Sequence, residues 1–160
     1  MSLVSLLEAG RSDFLEATSI TENIRPLSGW SVLECIEHVV TVEQRHLEWI
    51  ASAEEITPRR DSEKERRLFS IMRSRLTRLE TPQRLLPRGR FTTVEAAVAA
   101  FQVVRTQSVA TARECGAAIY ALGVTHPYFG ILNGAEVMQL VDGHARRHAE
   151  QIREIVERAA

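Results

Sequence analysis

Two histidines four residues apart, His144 and His148, interrupt an otherwise apolar stripe in the stretch AEVMQLVDGHARRHAEQIREIVERA. Steps of three and four give Val137, Leu140, Val141, His144, His148, Ile152, Ile155 and Val156, one face of a helix. The opposite side collects Gln139, Asp142, Arg146, Glu150, Arg153 and Glu157, a solvated face with acid–base neighbours one turn apart. Both imidazoles therefore point where the core should be. An unpaired polar group there costs roughly 1–3 kcal/mol, and rings four apart on a helix are close enough to converge on one ion. A divalent metal is the shared partner that fits this spacing. The helix is not a zinc-protease helix of the H-E-x-x-H type, because Ala145 follows His144.

Two histidines hold an ion weakly, so a third ligand should come from a facing helix. WSVLECIEHVVTVEQRHLEWIASA offers two. Its apolar stripe runs Val32, Cys35, Ile36, Val39, Val42, His46 and Ile50, with His46 central and His38 at the edge. The two are eight residues apart, roughly 12 Å along a helix axis, and cannot serve the same ion. Periodicity favours His46; His126, in a loop, is an outside candidate.

The elements that must position these residues all read as helices. Ser2 can cap a first helix carrying Leu3, Leu6, Leu7, Phe14 and Leu15, ending before Pro26. Ser31 with Glu34 makes a capping box for the second. Thr92 with Glu95 suggests another, opening a helix through Val94, Ala97, Val98, Phe101, Val104, Ser108, Ala112, Cys115 and Ile119 that Gly123 ends. Arg105 lies on the border of that stripe, placed to reach a pocket or to pair with an acid. THPYFGILNGAE reads as a turn-rich connection, with Asn133 and Glu136 capping the last helix. No stretch reads as a strand, and there is no internal repeat or Gly-rich phosphate loop.

Between Thr57 and Arg90 eleven basic residues face four acids, while Leu68, Phe69, Met72, Leu76 and Leu79 keep a helical stripe. An arginine-rich solvated face with buried stems is the plainer account; an anion or nucleic-acid patch is the alternative. The expected fold is all-α, an up-down-up-down four-helix bundle with an extra helical crossover in this segment, forming a single domain over residues 1–160.

Composition sets limits on the chemistry. The chain has 160 residues, 44% hydrophobic and 26% charged, with a net charge of −1, ordinary for a globular protein. Cys35 and Cys115 are too few and too far apart for a disulfide framework and suit a reducing compartment. No secretory signal is expected, since Glu8, Arg11 and Asp13 interrupt the opening stretch, and no run is long enough for a bilayer. A cytoplasmic protein without membrane partners is the expectation, with a homodimer left open.

Several of these pieces carry a family resemblance. Trp30-Ser31, Glu34 and His38, then His126-Pro127-Tyr128-Phe129-Gly130, then Gly143-His144-Ala145-Arg146-Arg147-His148 with Gln151-Ile152, resemble the DinB/YfiT-like metalloenzyme family, in order and spacing, from about Leu3 to Ile155. The resemblance implies a four-helix bundle with a three-histidine divalent-metal site at His38, His144 and His148. It thus selects His38 over His46, which becomes a hydrogen-bonded core histidine. Zinc, nickel or iron would accept three imidazoles and keep a position for water.

The implied activity is transfer of a low-molecular-weight thiol to an electrophile, in stress response or detoxification, with hydrolysis as the alternative. A small-molecule substrate and such a thiol are then the expected partners. Glu37 and Arg105 are candidate general bases, and Cys35 a candidate nucleophile or fourth ligand, though a small buried residue is its simpler role. A non-catalytic bundle that keeps the metal for stability is the rival from a different class.

Overall fold

Side-chain caps set where each helix begins. The computed structural model describes residues 1–20, 22–76 and 80–160. Helix α1 (Leu3–Ala17) starts on Ser2, whose hydroxyl accepts from the Ser5 amide. Helix α2 (Val32–Ala51) carries the full Ser31–Glu34 capping box. Helix α3 (Ser62–Arg73) is capped by Asp61, which accepts from the Lys64 amide at 2.8 Å. Helix α4 (Val94–Cys115) is capped by Thr93, one residue later than the sequence suggests, and Glu95 does not close a box. Helix α5 (Gly134–Ala159) opens on the reciprocal Asn133–Glu136 box.

Two helices end earlier than their apolar patterns. In α1 the Thr18 and Ser19 hydroxyls donate to the Phe14 and Glu16 carbonyls, competing with continued helix, so the chain leaves eight residues before Pro26. Helix α4 stops at Gly116, whose φ of +51° is a left-handed conformation that favours glycine. A short 3₁₀ turn (Gly116–Ala121) carries Ile119 into the core. Another, Gln83–Leu85, lies between Pro82 and Pro87.

The expectation of helices alone is corrected by a small antiparallel sheet. Strands β1 (Glu54–Glu55), β2 (Leu122–His126) and β3 (Gly130–Asn133) pair in the order β1-β2-β3. In the β2–β3 hairpin Gly123 faces Asn133 and His126 faces Gly130. Thus Gly123 lies inside a strand rather than ending a helix, and the connection read as turns is half strand. Segments of two to five residues are too short to show alternation, so no periodic signal marks them.

The rest of the molecule is helical. Helix α1 packs on α4 and α5, and α2 packs on the same two. The consecutive pairs α1–α2 and α4–α5 therefore make little contact, and α3 lies along α5. Leu68 of α3 is buried, Phe69 and Met72 are half-buried, and Leu76 is exposed beyond its end; Leu79 lies outside the described residues. No helix among the described residues is long and apolar enough to cross a membrane.

The interior has two apolar clusters. One holds Phe14, Ile36, Val39, Phe101 and Ile152; the other holds Leu7, Ile50, Leu132, Met138 and Leu140. On α2, α4 and α5 a buried polar side chain falls between the residues of the two clusters. Arg105, fully buried, donates to both oxygens of Glu43 at 2.8 and 3.0 Å, to Asp142 Oδ1 at 2.8 Å, and to the Leu7 carbonyl at 3.1 Å. Ser108 donates to Glu43, and Arg146 pairs with the other oxygen of Asp142. Asp142 is therefore buried, a correction to its place on the solvated face of α5. Room for its carboxylate comes from Gly10, where an added Cβ would lie 1.8 Å from Asp142 Oδ1. Arg105 takes the ion-pair role of the two that its border position allowed.

Candidate metal centre

The capping boxes at Ser31 and Asn133 fix the starts of α2 and α5, and so the angular phase of every residue behind them. That phase brings His38 of α2 to His144 and His148 of α5. All three are buried, and one ligating nitrogen from each lies within 4.8 Å of the others. His38 Nε2 and His144 Nε2 are 3.1 Å apart, and the three ring centroids are separated by 4.6–5.0 Å.

The hydrogen bonds define the ring states. His38 Nδ1 lies 2.8 Å from the Leu85 carbonyl, which can only accept, so Nδ1 carries the proton and Nε2 offers its lone pair to the cluster. Holding a ligand ring through its second nitrogen in this way fixes both tautomer and orientation. Trp30 packs on His38 at 4.7 Å and lies nearly parallel to His148 at 6.1 Å, which accounts physically for the Trp30–His38 spacing. His148 Nδ1 is buried with no partner among the described residues.

Burial pushes His38 down to about 4, only partly offset by the bond to Leu85. Burial, followed by the neighbouring rings, holds His144 and His148 well below the usual imidazole range. All three are neutral near pH 7, the form a metal ligand needs. Two nitrogens bound to one tetrahedral ion at ~2.0–2.1 Å stand roughly 3.3 Å apart, close to the His38–His144 separation. Three neutral nitrogens, one of them pinned by a carbonyl and one with an orphaned ring atom, are a donor set that fits a divalent metal.

The remaining candidates go elsewhere. His46 is buried, and its Nδ1 donates to the Val42 carbonyl at 2.7 Å, so it stays outside the cluster that periodicity assigned it to. Its Nε2 is left as an acceptor. In His126 the pattern is reversed: Nδ1 accepts from the Tyr128 amide at 3.2 Å, leaving the proton on Nε2. Glu37 is no general base. Its carboxylate accepts three backbone N–H groups, from Arg88, Gly89 and Arg90, and clasps that loop to α2. Cys35 is wholly buried and burial pushes its thiol up to about 12, which suits the small buried residue rather than a nucleophile.

The three histidines line a cavity of about 310 Å³. All five histidines of the chain border it, together with Trp30, Trp49, Tyr128 and Phe129, and with Arg75, Arg84 and Arg147. His46 and His126 form a second pair there, 5.7 Å apart, with Trp49 edge-on to both. The cavity walls come from α2, α3, α5, the 80–85 loop and the β2–β3 hairpin. Beyond the histidines, little of these walls was legible in residue type. His126-Pro127-Tyr128-Phe129-Gly130 was singled out as a motif only through the family resemblance, and the Leu85 carbonyl is a backbone atom that leaves no trace in residue type.

A family model described as the DinB superfamily matches residues 7–152. No curated protein and no solved structure matches the chain. The family match covers most of the chain and includes Trp30, Ser31, Glu34, His38, His144 and His148, the residues whose packing builds the centre. This chain belongs to the DinB superfamily.

Proposed function

We propose that His38, His144 and His148 hold one divalent metal and that the protein joins a low-molecular-weight thiol to an electrophile. One observation carries the reading: three neutral imidazole nitrogens converge on a cavity of about 310 Å³ with aromatic walls, room for a small organic molecule. Bound there, a zinc, nickel or iron ion supplies Lewis acidity, lowering the pKa of a thiol or polarising an electrophile.

The chain's own groups supply the rest. His38, pinned by Leu85, keeps its Nε2 lone pair aimed at the cluster. His46 Nε2 is an acceptor bordering the same cavity and can take the proton of the incoming thiol. His126 Nε2–H is a donor and can hydrogen-bond the leaving group. The carbon–sulfur bond forms as the bond to the leaving group breaks, the leaving group departs with the electron pair, and the thiol proton passes through His46 to solvent. Trp30, Trp49 and Phe129 give the cavity aromatic walls, a surrounding that suits the apolar body of an electrophile.

The architecture that holds this site is read as a four-helix bundle with neighbour order α1, α4, α2, α5, supported by the pairwise packing of these helices, and the chain as a single domain. The test is metal analysis of the purified protein with an assay of a thiol and a chloro-aromatic electrophile, with and without added metal. Stoichiometric metal and metal-dependent thioether formation are expected. Metal without turnover on any thiol would leave a metal-stabilised binding protein instead.

A further inference from the structure

The same cavity carries an imbalance of charge. Arg75, Arg84 and Arg147 line it against one carboxylate, Glu80. Arg75 is already engaged, donating to Glu154 at 3.1 Å and to Gln151 at 3.4 Å, but its Nε is buried without an acceptor among the described residues. Arg147 is different. It is half-buried on α5, and no carboxylate among the described residues lies within ion-pair distance of it or of Arg84. Arg105, fully buried, is met by two carboxylates; Arg147 has none among the described residues and shares the cavity with Arg75 and Arg84.

A half-buried guanidinium that shares a cavity with two others is relieved by an anion, and the planar fork of arginine matches a carboxylate in a bidentate fashion. Aromatic walls accommodate the apolar body of such a ligand. We propose that the small-molecule substrate of this cavity is an organic acid whose carboxylate is bound by Arg147 and Arg84, with Arg75 adding its field. The inference rests on the proposed function only in taking this cavity as the substrate site. It needs neither the metal nor the thiol chemistry.

The chain's two tryptophans, Trp30 and Trp49, both border the cavity, so intrinsic fluorescence reports its occupancy. The full chain would be titrated with 3-phenylpropanoate and with its neutral isostere 3-phenylpropanamide, in metal-free and metal-loaded forms. The acid should bind at least about tenfold more tightly in both forms, the size of one charge-assisted hydrogen bond, and the margin should shrink with salt. Arg84→Gln should lose part of the preference, and the Arg84→Gln/Arg147→Gln double variant all of it. Helical content and melting temperature establish that each variant is folded, and the exposed Arg84→Gln alone still tests the idea if the double variant does not fold.

An acid that binds no better than the amide overturns the inference, as does a preference that survives in the double variant. A preference seen only with metal would put the carboxylate on the ion and overturn it too. Absence of thiol transfer with the acid preference intact would remove the proposed reaction and leave this inference standing.

Discussion

At the scale of single residues, His38 and not His46 lies with His144 and His148, and the two rings differ in what Nδ1 touches. Both donate to a carbonyl, but His46 donates within its own helix to Val42, whereas His38 reaches Leu85 in a loop and turns Nε2 toward α5. His38→Ala should therefore abolish stoichiometric metal and leave helical content intact. His46→Ala should keep the metal and lose stability, on the order of 1–3 kcal/mol for a buried hydrogen-bonded ring. Metal analysis beside thermal unfolding checks both; metal lost only from the His46 variant would reverse the assignment. The depressed rings also set a pH dependence for the metal-free protein. His38 and His126 lie at about 4 when folded, against roughly 6.5 in the unfolded chain. Between these values the unfolded chain binds protons that the folded one refuses, so stability is full above pH 6.5 and falls as pH drops toward 4. The loss is on the order of 2–3 kcal/mol for His38, since one unit is ~1.4 kcal/mol, and smaller for His126, which solvent screens more. Urea unfolding at pH 7.5, 6 and 4.5 reads it, and a flat profile would mean that the rings are solvated.

At the scale of elements, the four long helices are tied by a charge cluster rather than by apolar contact alone. Arg105 from α4 reaches Glu43 of α2, Asp142 of α5 and the Leu7 carbonyl of α1. Removing the guanidinium leaves two buried carboxylates without it, a situation that costs about 3–5 kcal/mol. Arg105→Met should be destabilised by that order, and chemical denaturation would detect it. Gly10→Ala probes the same junction from the other side. A gain of roughly 0.5–1 kcal/mol from helix propensity is expected in open space, yet the new methyl would overlap Asp142. Net destabilisation of about 1–3 kcal/mol is the expected result. A more stable Gly10→Ala protein would show that α1 can move away from α5 at little cost.

At the scale of the whole molecule, the three-histidine cluster joins elements that are distant in sequence. His38 and His144 are 106 residues apart in the chain and 3.1 Å apart in space. An ion bound by the folded protein alone raises stability by about 2.7 kcal/mol at a hundredfold excess over its dissociation constant. The melting temperature should therefore climb with added zinc or nickel at pH 7.5, and His38→Ala should remove the effect. A melting curve unmoved by metal in the native protein would argue against an ion at this centre.

The sequence by itself determined what local chemistry controls. The Ser31–Glu34 and Asn133–Glu136 caps, the stripe through Val137, His144, His148 and Ile152, and the burial of Cys35 all follow from spacing within one or two turns. The fate of Asp142 did not, because its solvated pattern on α5 is overridden by an arginine from α4 and by a glycine on α1. Nor did the strands, which are too short for a period, or the selection of His38 by residue pattern alone. Resemblance pointed to His38; the physical reason is the Leu85 carbonyl. That carbonyl belongs to the loop preceding residues 88–90, whose amides Glu37 clasps to α2. Contacts between a side chain and a distant backbone carry no mark in residue type, so only the tertiary structure could decide which histidine faces the centre.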